Sequence, residues 1–217
     1  MPEGLRIVDL THDFASDMPV HPLLPRPLFG DVATVEADGY AMSEYRLYNH
    51  VGTHIDAPCH HVAGGDTLDD IALERFVMAP AVVLDFTERD PGPIPRAEIE
   101  PHLARLVSGD MVLVNSGNDR NWGSEAYWTG WSYPDEEASR AMIERGVSGV
   151  GLDGPSADPT ESTMWPLHKI WCGAGCLILE NVANLGQLPE RTLLVIAPMK
   201  VRAANGAPAR IFALVSD

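Results

Sequence analysis

Four of the eight histidines of this chain crowd into one short stretch, residues 50–61, together with an aspartate. Imidazole nitrogens and carboxylate oxygens are the ligands of borderline cations such as Zn(II) and Mn(II), and three protein ligands leave coordination positions open for water. Groups of this kind, packed so densely, repel or desolvate one another unless a cation is present. The stretch therefore predicts a metal site of the open, catalytic kind, built from His50, His54, Asp56 and His60.

The spacing within this stretch limits its conformation. In an extended segment the even-numbered ligands share one face, whereas His61 points to the other. A helix would also make His50 and His54 neighbours, four residues apart, but Gly52 and Pro58 disfavour a helix. We therefore expect the stretch to be a strand or a loop.

The same stretch carries a family resemblance. Its pattern His-x-Gly-Thr-His-x-Asp-x-Pro-x-His resembles the signature of the cyclase family of metal-dependent hydrolases, which includes bacterial kynurenine formamidases and isatin hydrolases. The resemblance continues in residues 7–12, 17–20, 149–159, 198–200 and 206–210, and in the pair Glu180-Asn181 that follows His168. It covers nearly the whole chain.

The resemblance implies a role for each matching residue. A first metal ion would be bound by His50, His54 and Asp56. In two-zinc members a second ion would be bound by His168 and Glu180, with Asp56 and Glu180 bridging, and His60 would be the catalytic proton shuttle. The cofactor is thus expected to be one or two ions of Zn(II) or Mn(II).

The two distant ligands are less evident from their own surroundings. Glu180 ends the apolar run Cys176 to Leu179, and a carboxylate so close to a core strand needs a cation or backbone amides as partners. The residues around His168 by themselves favour a surface histidine.

A metal at this site would lower the pKa of a bound water and polarise the scissile carbonyl, while His60 moves a proton from the water to the leaving nitrogen. A serine nucleophile is disfavoured because the sequence has no Gly-x-Ser-x-Gly elbow. Cys59 is an alternative nucleophile, but it occupies a variable position of the motif. A metal-stabilised binding domain is the non-enzymatic alternative, and it requires a closed coordination shell.

The substrate is expected to be a small molecule with an amide bond. Kynurenine formamidases of the family carry a tryptophan in the loop before the motif, where this chain has His21 between Val20 and Pro22. The aromatic-rich segment 118–133, with Trp128 near its centre, could form a wall for an aryl substrate. We expect His21 and Trp128 to contact substrate, and rank hydrolysis of an N-formyl arylamine such as N-formylkynurenine before opening of a cyclic amide such as isatin.

The elements that position these residues follow from the apolar pattern. Short apolar runs predict buried strands at Leu5–Leu10, Ala81–Phe86, Met111–Asn115, Val147–Leu152, Cys176–Leu179, Thr192–Ala197 and Ile211–Val215. Residues 40–48 alternate more and lead to His50, and helices are predicted at Pro95–Val107 and Pro134–Glu144. The prediction is one α/β domain spanning residues 1–217. The resemblance implies a central, partly barrel-like mixed β core flanked by helices, of the swivelling β/β/α type.

Composition excludes several classes of protein. The formal charge of -16 argues against a nucleic-acid-binding protein, which usually carries a basic stripe. No apolar run approaches the ~20 residues of a membrane span, and the N-terminus lacks the pattern of a signal peptide. Three cysteines make no disulfide framework, and Cys172 and Cys176 are expected to be buried. We expect a cytoplasmic enzyme, and the resemblance implies a homodimer or a larger homo-oligomer.

Overall fold

The structure is a computed structural model that describes residues 4–22 and 24–216. These residues contain twelve β-strands and four α-helices. The strands are β1 Leu5–Asp9, β2 Leu28–Ala33, β3 Met42–Arg46, β4 His54–Asp56, β5 Val77–Asp85, β6 Gly92–Ile94, β7 Met111–Asn115, β8 Ser132–Pro134, β9 Gly149–Leu152, β10 Leu177–Glu180, β11 Arg191–Pro198 and β12 Gly206–Ser216. The helices are α1 Val35–Asp38, α2 Arg96–Leu103, α3 Glu136–Glu144 and α4 Pro166–Gly173. None of these helices is long and apolar enough to cross a membrane.

Seven of the strands close into a barrel-like sheet. Their order is β12-β11-β5-β7-β9-β10-β4, and β4 pairs back onto β12. Strand β12 closes the ring because it is long: its first three residues pair with β4, while its last five pair with β1. The neighbours from β5 to β10 run parallel and the remaining pairs are antiparallel. The predicted mixed, partly barrel-like core is confirmed.

Side-chain alternation along the barrel strands divides the interior into two hydrophobic cores. One fills the barrel and includes Leu113 and Leu179. The other includes Val112, Val114 and Ile178 and packs against α2, α3 and α4. Because Glu180 has the same parity as Ile178, β10 delivers its carboxylate to the outer, helix-covered face of the barrel.

The predicted strands are all present; β7 has the predicted bounds, and the others have shifted ends. The strand predicted at 147–152 begins two residues later, and the one predicted at 211–215 begins earlier, at Gly206. Helix α3 begins two residues later than the predicted segment 134–144, with Asp135 as its N-cap, whose carboxylate accepts the Ala138 N–H. Helix α2 is shorter than the segment 95–107 predicted for it, and α4 was not predicted.

Residues 40–48 contain strand β3, which pairs with β2 in a separate two-stranded sheet. All five residues of β3 are exposed, including Met42 and Tyr45. The expected strand is therefore present, but within this chain its alternation does not mark a buried face.

Candidate active site

The motif at residues 50–60 combines a short strand with turns, within the strand or loop expected from the sequence. Only His54–Asp56 is a strand, and Pro58–His60 forms a 3-10 turn. The turn before β4 depends on Gly52, which has a φ of 59°. A Cβ added at this glycine would lie 2.6 Å from the Phe14 ring. The chain thus bends at both ends of β4, and the bends fold the motif back on itself.

The first predicted ligand set comes together around β4. His54 and Asp56 lie on the outer face of the strand, and Ile55 between them belongs to the barrel core. His50 Nδ1 lies 2.6 Å from Asp56 Oδ1, and His54 Nε2 lies 3.4 Å from the same oxygen. His54 and Asp56 are only 2% and 1% exposed, so neither side chain reaches bulk water.

The second predicted ligand set meets the first across the sheet. Strand β10 pairs antiparallel with β4 and places Glu180 opposite His54, with Glu180 Oε2 at 3.3 Å from His54 Nε2. Helix α4 brings His168 Nε2 to 3.2 Å from Glu180 Oε1 and 3.7 Å from Asp56 Oδ2. His168 is 3% exposed, so the surface position suggested by its neighbouring residues is wrong.

The donor set fits a divalent cation. His54 Nε2 and Asp56 Oδ2 are buried and form no hydrogen bond with any described residue, which is costly for polar groups unless something else binds them. Ligand atoms of His54, Asp56 and Glu180 lie within 4.8 Å of one another. Nitrogen and oxygen donors in this number suit Zn(II) or Mn(II).

Charge in this cluster is balanced by the protein itself. Burial by itself lowers the pKa of His54, but the adjacent carboxylates of Asp56 and Glu180 raise it to about 10. Burial lowers the pKa of His168 as well, and Asp158 and Glu180 raise it to about 10. Burial raises the pKa of Glu180, but the adjacent His168 and His54 lower it, and the pKa falls to about 2. Without a metal ion, both imidazoles therefore carry a proton that a bound cation would displace.

Each buried histidine is fixed by a second partner on the side away from the cluster. His54 donates its Nδ1–H to the Gly52 carbonyl at 2.8 Å. His168 donates its Nδ1–H to Asp158 Oδ2 at 2.6 Å, and the same carboxylate accepts the backbone N–H groups of Leu167 and His168. In both cases the Nε2 atom is left facing the carboxylates of Asp56 and Glu180, an orientation that suits metal binding.

Asp158 was missed as a functional residue. It lies within the segment 149–159 that carries part of the family resemblance, which is the one sequence signal that points to it. An N-cap residue usually bonds to an N–H two or three residues later, whereas Asp158 bonds to those of Leu167 and His168, nine and ten residues later. The sequence around α4 therefore does not predict this contact.

His60 and His61 flank the cluster. The His60 and His50 rings are stacked, with their centroids 3.9 Å apart. The pKa of His60 falls to about 4, chiefly because its ring is partly buried. His60 is therefore neutral at pH 7 and able to accept a proton. His61 was expected to point away, but the 3-10 turn changes the strand periodicity, and its ring lies 4.7 Å from His168.

The two predicted substrate residues lie next to each other. The rings of His21 and Trp128 meet edge to face, with their centroids 6.2 Å apart. Further ring contacts follow from Trp128. Its centroid lies 5.7 Å from that of Tyr127, which in turn lies 5.0 Å from Trp122. Trp122 stacks on His12, with a centroid distance of 4.1 Å. The aromatic segment is thus tied to the N-terminal loop rather than packed only on itself.

The cysteines show no sign of activation. Cys59 packs against the barrel core, and partial burial raises the pKa of its thiol. A thiol whose pKa is raised is a poorer nucleophile at neutral pH. Cys172 and Cys176 are buried as predicted, and burial raises their pKa values to about 12 and 11.

Known proteins resemble this chain over most of its length. A kynurenine formamidase from Salinibacter ruber is 33% identical over 172 residues, which cover 78% of this chain and 77% of the relative. An isatin hydrolase from Roseibium aggregatum is 26% identical over 235 residues, covering 96% and 86%. The structure of isatin hydrolase A from Labrenzia aggregata bound to benzyl benzoate has a TM-score of 0.89 and 29% identity, covering 99% of this chain and 95% of its own. Since the model of the Cyclase family also matches residues 8–159, the chain belongs to the Cyclase family of metal-dependent amide hydrolases.

Proposed function

We propose that this protein is an arylformamidase, which hydrolyses an N-formyl arylamine such as N-formylkynurenine in tryptophan catabolism. The observation that carries the proposal is the buried cluster around Asp56, where the His54 Nε2 and Asp56 Oδ2 atoms have no hydrogen-bond partner in the described chain. The relative from Salinibacter ruber, a kynurenine formamidase, supports the choice of substrate.

The residues proposed to hold metal are His50, His54 and Asp56 for a first ion, and His168 and Glu180, with Asp56, for a second. When bound, Zn(II) or Mn(II) would polarise the scissile carbonyl and lower the pKa of a coordinated water. The chain's own contribution is to hold these side chains in place. Their mutual distances of 2.6 to 3.7 Å support one or two ions in this cluster.

His60 is proposed to move the proton. Its imidazole is neutral at pH 7 because its pKa is about 4, so it can accept a proton from the attacking water. As the water oxygen bonds to the formyl carbon, the carbon–nitrogen bond breaks and His60 returns the proton to the arylamine nitrogen. The products are formate and the free arylamine, with no covalent enzyme intermediate.

The substrate's aryl group is proposed to lie against Trp128 and His21. An edge-to-face pair of rings offers an apolar face together with a polar edge, which suits a ring that carries an amide substituent. His21 stands where kynurenine formamidases have a tryptophan, so the contact of His21 with Trp128 is proposed to set the substrate specificity.

A cyclic amide such as isatin is the second candidate substrate. The isatin hydrolase from Roseibium aggregatum aligns with 96% of this chain, compared with 78% for the kynurenine formamidase from Salinibacter ruber. Ring opening would use the same groups, since the amide nitrogen again leaves the attacked carbonyl carbon.

The deciding experiment compares kcat/KM for N-formylkynurenine and isatin on protein loaded with Zn(II) or Mn(II), with the metal content measured by elemental analysis. We expect N-formylkynurenine to be preferred, and Trp128→Ala to raise KM for the preferred substrate. A preference for isatin would replace the first candidate by the second. No turnover of either by metal-loaded protein would contradict both.

We also propose that the chain assembles as a homodimer or larger homo-oligomer. The sheet of β2 and β3 exposes Leu28 and Met42 on one face and Tyr45, which is 67% exposed, on the other. Exposed apolar side chains concentrated in one small sheet are typical of an interaction surface. Light scattering coupled to gel filtration tests the proposal, which a monomeric mass at micromolar concentration would contradict.

A further inference from the structure

A buried line of hydrogen bonds runs from the aromatic segment to the imidazole of His54. The Tyr127 hydroxyl donates to Asn181 Oδ1 at 2.7 Å. Asn181 Nδ2 then donates to the Gly52 carbonyl at 2.8 Å, and this carbonyl also accepts His54 Nδ1–H at 2.8 Å. We infer that Tyr127 is a positioning residue for His54, acting through Asn181 and the Gly52 carbonyl.

The direction of each bond in this line follows from what each group can do. A carbonyl oxygen only accepts, so Asn181 must turn its Nδ2 towards Gly52 and its Oδ1 away. Oδ1 then needs a donor, and the Tyr127 hydroxyl supplies it. Burial, followed by the charge of Asp153, raises the pKa of Tyr127 well above its usual range, so the hydroxyl keeps the proton that it donates.

The members of the line are held rigidly. Tyr127 is fully buried, and Asn181 is 7% exposed. Asn181 has a φ of 56°, and its backbone is fixed at both ends: its N–H donates to Gly154 O at 2.9 Å, and its carbonyl accepts Thr53 Oγ1 at 2.6 Å. The Asn118 side chain donates to the Tyr127 carbonyl at 3.0 Å. The amide orientation of Asn181 is therefore what the tyrosine hydroxyl adds.

That orientation matters for His54. With Nδ1–H held by Gly52, the His54 Nε2 atom faces Asp56 and Glu180. Asn181 Nδ2 is only 3.5 Å from His54 Nδ1, so a turned amide would place its oxygen where it competes with Gly52 for the His54 proton. Loss of the tyrosine hydroxyl would thus loosen the imidazole that is proposed to bind the first ion. The inference rests on the proposed metal site.

The test is Tyr127→Phe, with the Kd for Zn(II) measured by competition with a chelator. We expect binding to weaken by about tenfold, the effect typical of losing a partner behind a metal ligand. NMR of the ring nitrogens in the Zn(II)-loaded protein should also show a weaker hydrogen bond at His54 Nδ1–H. Tyr133→Phe is the matched control, because Tyr133 is also buried and its hydroxyl forms no hydrogen bond within the described residues.

A second variant, Asn181→Asp, keeps the acceptor for Tyr127 but sets an oxygen against the Gly52 carbonyl, so its Kd should rise further. It carries the test if Tyr127→Phe fails to fold. Both variants binding Zn(II) within about twofold of wild type would overturn the inference while leaving the proposed function intact. A wild-type protein that binds no Zn(II) would overturn the proposed function and this inference with it.

Discussion

The two proposed ligand sets are built in opposite ways. His50, His54 and Asp56 come from one stretch, in which Gly52 turns the chain so that His50 meets Asp56 at 2.6 Å. The second set needs helix α4 for His168 and strand β10 for Glu180. The first is therefore a product of local turns, whereas the second exists only once the barrel has closed and α4 has packed against it.

The two sets also differ in what lies behind their histidines. A backbone carbonyl holds His54, and a carboxylate, Asp158, holds His168. A carboxylate partner makes an imidazole a more basic ligand than a neutral carbonyl does. Asp56 links the two sets, since it contacts His50 and His54 through Oδ1 and faces His168 through Oδ2. Substitutions in one set or the other can therefore test the two ligand sets separately.

The largest effect is expected for Asp56→Ala, which removes the shared group. We expect metal and hydrolysis to be lost together, with turnover falling ~1000-fold or more, because the chemistry proposed for the metal supplies several kcal/mol. His54→Ala should behave in the same way. Elemental analysis beside a rate assay measures both quantities.

The control for this pair is Asp110→Ala, which removes another fully buried carboxylate, paired with Arg191 at 2.8 Å and far from the cluster in the fold. It should destabilise the protein while leaving metal content per folded molecule unchanged. Full metal content in Asp56→Ala would contradict the shared role of this carboxylate.

A smaller loss is expected for His60→Ala. His60 contacts His50 by ring stacking but is proposed to move a proton rather than to bind metal. The variant should keep its metal and lose turnover by ~100-fold or more. His102→Ala, in α2 against Phe86, is a control for loss of a histidine elsewhere. An unimpaired His60→Ala enzyme would eliminate the proton-shuttle role.

The contrast between the sets also explains what the sequence could reveal. His50, His54, Asp56 and His60 stand out because their spacing is short and their types are unusual together. The barrel strands were predictable because buried apolar runs have few alternatives. The turns within the 50–60 stretch were not predictable, since the sequence left strand and loop open and the turns at Gly52 and Pro58 are seen only in the fold.

The distant partners required tertiary information. His168 looked like a surface residue because α4 was not predicted, and its burial comes from packing against β10 and the 3-10 turn at Pro58. Asn181 and Tyr127 gave no local signal of a link to His54, because their hydrogen bonds join segments far apart in sequence. Family resemblance supplied His168 and Glu180; sequence pattern by itself did not.

Asp158→Asn should affect the second set selectively. The amide keeps the size of the side chain but removes the charge that holds His168 Nδ1–H. The second equivalent of Zn(II) should bind about 10- to 100-fold more weakly, while the first equivalent keeps its affinity. Isothermal titration with two resolved binding steps measures this, and equal weakening of both steps would show that the sets are not independent.

The smallest effect expected is a release of protons when metal binds. The pKa values of His54 and His168 are about 10, above their ordinary value of 6.5, so at pH 8 both imidazoles are protonated in the metal-free protein. Their contribution to stability is complete below pH 6.5 and is lost as the pH rises through about 10. A metal ion needs neutral imidazoles, so binding at pH 8 should release about two protons from them.

Titration calorimetry in buffers of different ionisation enthalpy counts the protons released. His168→Ala should lower the count to about one, the share of the first set. A count of zero in the wild-type protein would mean that the imidazoles are already neutral and that the carboxylates do not hold their protons.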